Sequence, residues 1–220
     1  MIEIHKLVRS KRRTLALIVE TDGTLTVRAP LRMKEADIWR FIEAKTDWIK
    51  RRQAKVQIEA LPPRQYVDGE MFWYLGEEIP LRLVPRQKPA LVMDGVFKLT
   101  KSAQPEAQSV FVAWYRKQAR TVLAERVELF VQKYGFNVKK IRISSARTRW
   151  GSCSHKGTLS FPWRLVMAPP DVIDYVVLHE LCHLKEMNHS KAFWAQVQSI
   201  LPDYKRQRSW LKKKGNSLRL

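Results

Sequence analysis

His179-Glu180-Leu181-Cys182-His183 sits inside an apolar run, Asp171-Val-Ile-Asp-Tyr-Val-Val-Leu178, that opens behind Pro169-Pro170. Proline is tolerated in a first helical turn and aspartate suits the positive end of a helix dipole, so the run predicts a helix from Pro170 to about Met187. At ~100° per residue, His179 and His183 fall ~40° apart and one turn apart in height. Both imidazoles can therefore face one metal ion. Glu180 lies to the side of that pair, where a carboxylate can take a proton from an activated water without being a ligand. Val172, Ile173, Tyr175, Val176, Val177, Leu178, Leu181 and Leu184 make the helix apolar nearly all round, the pattern of a buried helix. Two histidines and a glutamate on such a helix need partners, and a metal supplies one.

A catalytic zinc site needs a third protein ligand. Glu186, Cys182, Cys153 and His189 are the candidates. Glu186 would lie ~10 Å further along a straight helix. Cys182 points ~60° away from the histidine direction, and Cys153 reads as a small buried residue. Asn188 tolerates a left-handed helix end and Ser190 can cap a new helix, so a chain reversal brings His189 back over the site. The expected set is thus His179, His183 and His189 as metal ligands and Glu180 as general base, with Zn2+ as cofactor.

Outward from this stretch, Gly135 closes a long helix expected over 109–134, and strands are expected at 138–143 and 158–161. Upstream, Thr14–Glu20 and Thr24–Ala29 flank Thr21-Asp22-Gly23 as a hairpin. A helix is expected from Lys34 to about Ile58, with Ile38, Phe41, Ile42, Lys45, Trp48 and Ile49 on one stripe. Short strands follow at 71–75, 79–84, 90–93 and 96–99. The polar stretch 101–108 reads as a connection between two lobes, 1–104 and 105–220.

The 220 residues carry 41 Lys and Arg against 21 Asp and Glu, a net charge of +20. Residues 1–104 contribute +7 and 105–220 contribute +13. This excess favours polyanions and makes non-specific DNA or RNA contact an expectation. No zinc finger or dedicated nucleic-acid motif supports sequence-specific reading. Two cysteines cannot build a disulfide framework. The first ten residues lack an apolar segment of a secretion signal and no run approaches the ~20 residues of a membrane span, so a cytoplasmic protein without membrane contact is expected. No motif assigns an oligomeric state.

Three blocks, Arg147-Thr-Arg-Trp-Gly-Ser-Cys-Ser154, Leu159-Ser-Phe-Pro-Trp-Arg-Leu165 and Ala168–Trp194, resemble the YgjP-like family of bacterial metal-dependent hydrolases. Within them, His179–Trp194 has the HExxHxxxxxH arrangement that also resembles SprT-like and WLM zinc metalloproteases. The resemblance covers about residues 138–200. It implies an α+β protein: an N-terminal mixed α/β lobe, then a zincin-like lobe whose active-site helix lies beside a small antiparallel sheet. Carried over, it makes His179, His183 and His189 ligands and Glu180 the catalytic carboxylate. Metzincins share the spacing, but Glu186 stands at their glycine position and argues against their turn. By analogy with zincins, Thr158–Phe161 is the expected edge strand for an extended peptide. Arg149 and Trp150 are candidates for substrate contact, and His155 reads as an exposed turn residue.

Three functions compete on this sequence. A zinc metallopeptidase acting on protein or peptide leads. A metal-dependent nucleoside triphosphate pyrophosphatase or phosphohydrolase would suit the positive charge, but no P-loop or acidic magnesium cluster is present. A nucleic-acid-associated binding module with a structural metal would have no need of Glu180.

Overall fold

The computed structural model describes residues 2–20, 22–58 and 64–220. The chain packs as two compact units, Met1–Pro62 and Pro63–Leu220.

In the first unit, β1 (Lys6–Ser10) pairs in parallel with β3 (Leu25–Pro30), and β2 (Ala16–Val19) pairs antiparallel with β3, giving the order β1-β3-β2. The β2–β3 hairpin turns on Asp22, whose Oδ1 accepts from the Thr24 amide at 2.9 Å and the Thr24 hydroxyl at 2.7 Å, and on Gly23 at φ 85°. Thr21 of the expected turn lies outside the described residues. The single helix expected over 34–58 is two, α1 (Glu35–Ala44) and α2 (Thr46–Ile58). Lys45 breaks the ladder at φ −112°, ψ 9°, and the Thr46 hydroxyl donates to the Ile42 carbonyl. Of the expected stripe, Ile38, Ile42 and Ile49 are buried with Leu25, Val27 and Ala29, while Phe41 and Trp48 are exposed.

The second unit opens with β4 (Met71–Tyr74), β5 (Glu77–Val84), β6 (Leu91–Asp94) and β7 (Val96–Thr100), a mixed sheet of order β4-β5-β7-β6. A 3₁₀ segment, Lys101–Glu106, leads directly into α3 (Ala107–Tyr134), which Gly135 ends at φ 69°. The stretch 101–108 is therefore no linker. The units divide at Pro62/Pro63, earlier than the expected 104/105, because the β4–β7 sheet packs its aromatic face on α3: Phe72 and Phe97 stand 4.4 and 5.2 Å from Phe111.

Along α3 the buried residues Ala107, Phe111, Tyr115, Ala119, Leu123 and Val127 recur every four positions. Each step of four turns ~400°, so the stripe winds around the helix and meets different partners along its length. Phe111 faces the sheet, the Tyr115 ring stacks on Trp163 at 5.7 Å, and Arg126 pairs with Asp174. The remaining elements are β8 (Lys140–Ser144), β9 (Ser152–Cys153), β10 (Thr158–Pro162), α4 (Pro170–Cys182), α5 (Lys191–Ile200) and α6 (Tyr204–Lys214).

The sheet β8-β10-β9 is mixed: β10 runs parallel to β8 and antiparallel to β9. This corrects the antiparallel sheet expected beside the 179–183 helix. It also makes Thr158–Phe161 part of a central strand, not an edge, since β8 and β9 flank it. Gly76 after β4 packs on Pro169 at the start of α4, where a Cβ would meet the Pro169 Cα at 2.8 Å. Among the described residues no helix is long and apolar enough to cross a membrane.

Candidate metal centre

α4 is buried on nearly every side, from Val172 and Ile173 through Leu181 and Cys182. It ends at Cys182, earlier than the expected Met187. His183 is its C-cap, and the amides of Lys185 and Glu186 both turn back to the Cys182 carbonyl. The early stop brings the Glu186 carbonyl to 2.9 Å from His183 Nδ1. A carbonyl only accepts, so Nδ1 carries a proton and Nε2 is the nitrogen available to a metal. Glu186 therefore acts through its backbone.

The chain then reverses. Ser190 Oγ accepts from the Phe193 amide at 3.2 Å and caps α5. The reversal sets His189 against the end of α4, with its Nε2 2.9 Å from His179 Nε2. One ring nitrogen from each of His179, His183 and His189 lies within 4.8 Å of the others, a set that could hold a metal ion. Glu186, Cys182, Cys153 and His155 are outside this set.

The donor set suits a divalent ion. Metal–nitrogen bonds of ~2.0–2.1 Å in a tetrahedron separate the nitrogens by about 3.3 Å, close to the observed Nε2–Nε2 approach. Three ligands leave a fourth position open. His179 and His189 are also pushed toward the neutral form, as ligands must be. Burial pushes His179 down to about 3, with further lowering from His183, His189 and Arg208. His189 is lowered by burial, His183 and Arg208. His179 Nδ1 is buried with no partner among the described residues. Its ring is held by packing, 4.9 Å from Phe193 and 5.9 Å from Tyr175.

Phe193 and Trp194 at the start of α5 form a wall that the sequence alone did not flag. His183 stacks on Phe193 at 4.5 Å and His189 on Trp194 at 5.6 Å. Arg208 of α6 lies 4.7 Å over the Trp194 ring, which brings its charge to bear on His179 and His189.

Glu180 is buried, 5% exposed, and burial pushes its carboxyl up to about 7 against the opposing charge of Arg149. Gly151 backs directly onto it: a Cβ there would stand 2.4 Å from Oε1 and 2.6 Å from Cδ. Only glycine leaves that room. Gly151 thus joins the site, and the Gly-Ser-Cys turn was its sole trace in the sequence. Trp150 is half-buried against Gly215, whose Cβ would meet the ring at 2.8 Å. Cys153 is half-buried on β9; its thiol is pushed up to about 11 by burial and then by the Glu180 charge. His155 is exposed in the turn before β10.

Residues 13–214 match a family model described as the YgjP-like metallopeptidase domain. Solved structures similar to this chain include the metallopeptidase zymogen abylysin of Pyrococcus abyssi. That match is 24% identical, has a TM-score of 0.37, and covers 41% of this chain and 93% of that one. Comparison with curated proteins returns no match.

Proposed function

The chain belongs to the YgjP-like family through its metallopeptidase domain, and from that premise we propose a zinc-dependent peptidase in which His179, His183 and His189 hold the ion and Glu180 is the general base. One observation carries this reading: three imidazole nitrogens converge beside a buried carboxylate that a glycine makes room for. Zinc, when bound, supplies Lewis acidity, polarising the scissile carbonyl and lowering the pKa of water toward ~7. Three neutral ligands leave the ion's charge uncompensated, which suits that chemistry. The His183 Nδ1–H bond to the Glu186 carbonyl orients its ring and fixes its tautomer.

Glu180 takes the proton of the attacking water on a carboxylate oxygen and passes it to the leaving amine nitrogen. Gly151 sets where that carboxylate sits. β9 takes over the role expected of 158–161, because among the described residues no strand pairs with its outer edge in the β8-β10-β9 order and Gly151 directly precedes it. An extended peptide would pair with that edge through its main chain.

The test compares wild-type protein with Glu180→Gln, both zinc-loaded and with metal content measured, on casein and on UTP. Wild type should cleave casein, and Glu180→Gln should lose a factor of about 10²–10⁴ at equal zinc. UTP cleavage without peptide cleavage would replace this reading by phosphohydrolysis. Undiminished hydrolysis by Glu180→Gln would remove the general base.

A further inference from the structure

The loop between β8 and β9, residues 145–151, crosses one end of the sheet. β8 runs parallel to the central β10 and β9 runs antiparallel, so the end of β8 and the start of β9 both lie at the C-terminal end of β10. Ser144 is in register with Pro162, and Ser152 with Ser160. Two strand spacings across and two residues along put Ser145 on the order of 12 Å from Gly151. A peptide that leaves the β9 edge and crosses the sheet end along the 145–151 loop spans that distance in three to four extended residues.

Around Ser145 the arginines gather. Arg116 of α3 donates from Nη1 to the Ser145 hydroxyl at 2.9 Å. Arg164, just past β10, donates from Nη1 to the Ser145 carbonyl at 3.5 Å and lies 4.1 Å over the Trp163 ring. Arg147, on the loop itself, is close enough for its charge to bear on Arg164. Arg164 is half-buried, and burial followed by Arg147 pushes it down to about 10. Arg149 continues the row to Glu180, on which its charge acts. None of the ion pairs among the described residues involves Arg116, Arg147, Arg149 or Arg164. A half-buried guanidinium among like charges, with only a ring and a long contact to a carbonyl, is short of a counter-charge.

We propose that Arg116, Arg147 and Arg164 form a subsite for an acidic side chain of the peptide substrate, three to four extended residues from the bond presented to Glu180. The assignment of the ligand to a peptide rests on the peptidase reading above. The guanidinium fork matches a carboxylate bidentately. The fork also fits a phosphate, but a backbone nest of free amides on a glycine-rich turn would add to phosphate binding. Residues 145–149 contain no glycine, and the Ala146 amide already donates to the Ser144 hydroxyl.

The experiment measures binding of an N-acetylated, C-amidated dodecapeptide rich in Asp and Glu, and of its Asn/Gln isostere, at physiological salt. The proteins are wild type, Arg116→Gln/Arg164→Gln, Arg147→Gln and the charge-matched surface control Lys212→Gln/Lys213→Gln. Wild type and control should bind the acidic peptide about tenfold or more tightly than its isostere. The double arginine variant should lose that preference, and Arg147→Gln, an exposed single change, should reduce it. Equal binding of the two peptides by wild type, or an undiminished preference in both arginine variants, would overturn the proposal. So would inorganic phosphate or a mixed-sequence oligonucleotide binding the cluster more tightly than the peptide. If the binding pattern holds but zinc-loaded wild type cleaves neither peptide, the carboxylate subsite stands and the peptidase reading falls.

Discussion

The two units carry nearly the same density of positive charge, net +6 over residues 1–62 and net +14 over 63–220. They differ sharply in what lies beneath it. Among the described residues, the first buries six apolar residues under a three-stranded sheet and two helices, and leaves Phe41 and Trp48 exposed. The second winds a 28-residue helix through an aromatic core, and every candidate site residue stands on it. Positive charge is thus a property of the whole surface, while the chemistry depends on one packed core. That core packs around α4, which carries His179 and Glu180 and is capped by His183.

Core substitutions can break that contrast. Phe111 touches Phe72, Phe97 and Tyr66, and Phe111→Ala should cost the second unit about 3–5 kcal/mol. Ile49→Ala should cost the first about 2–5 kcal/mol. Peptide-resolved hydrogen exchange should confine each loss to its own unit, and only Phe111→Ala should weaken metal retention on heating. Loss of protection spread evenly over both units by either variant would contradict the division.

Gly151→Ala sharpens the contrast within the second unit. Its methyl group cannot share space with Glu180 Oε1, so the carboxylate must shift. Turnover should fall by a factor of about 10–100, as for a misplacement near 1 Å. Zinc content should be unchanged, which separates positioning from ligation. The smallest effect is at the α5 cap: Ser190→Ala removes the bond to the Phe193 amide and should cost about 1 kcal/mol by chemical denaturation, with zinc bound more weakly because His189 is adjacent.

The local parts of the candidate site, the convergence of the three histidines, were legible from sequence. The histidine pair follows from helical period, and the return of His189 from Asn188 and Ser190. The break at Lys45 was not legible, because one apolar stripe runs through both α1 and α2. Nor was the contact between Gly151 and Glu180, which joins residues far apart in sequence through tertiary packing. The sheet polarity escaped for a related reason: alternation marks β8 and β10 as strands but does not say that they pair in parallel, and so that β10 is central. The division at Pro62/Pro63 was hidden because the strands 71–100 resemble those before them, although they pack on α3.

Metal stoichiometry is the most direct measure of the three-histidine site. Wild-type protein, His179→Ala, His189→Ala and Glu180→Gln would each be purified, shown to be folded and assayed for bound zinc by elemental analysis. About one zinc per chain is expected in wild type and Glu180→Gln, almost none in His179→Ala, and a weakened site in His189→Ala that refills in excess zinc. Folded His179→Ala protein that retains a full equivalent of zinc would contradict that ligand set.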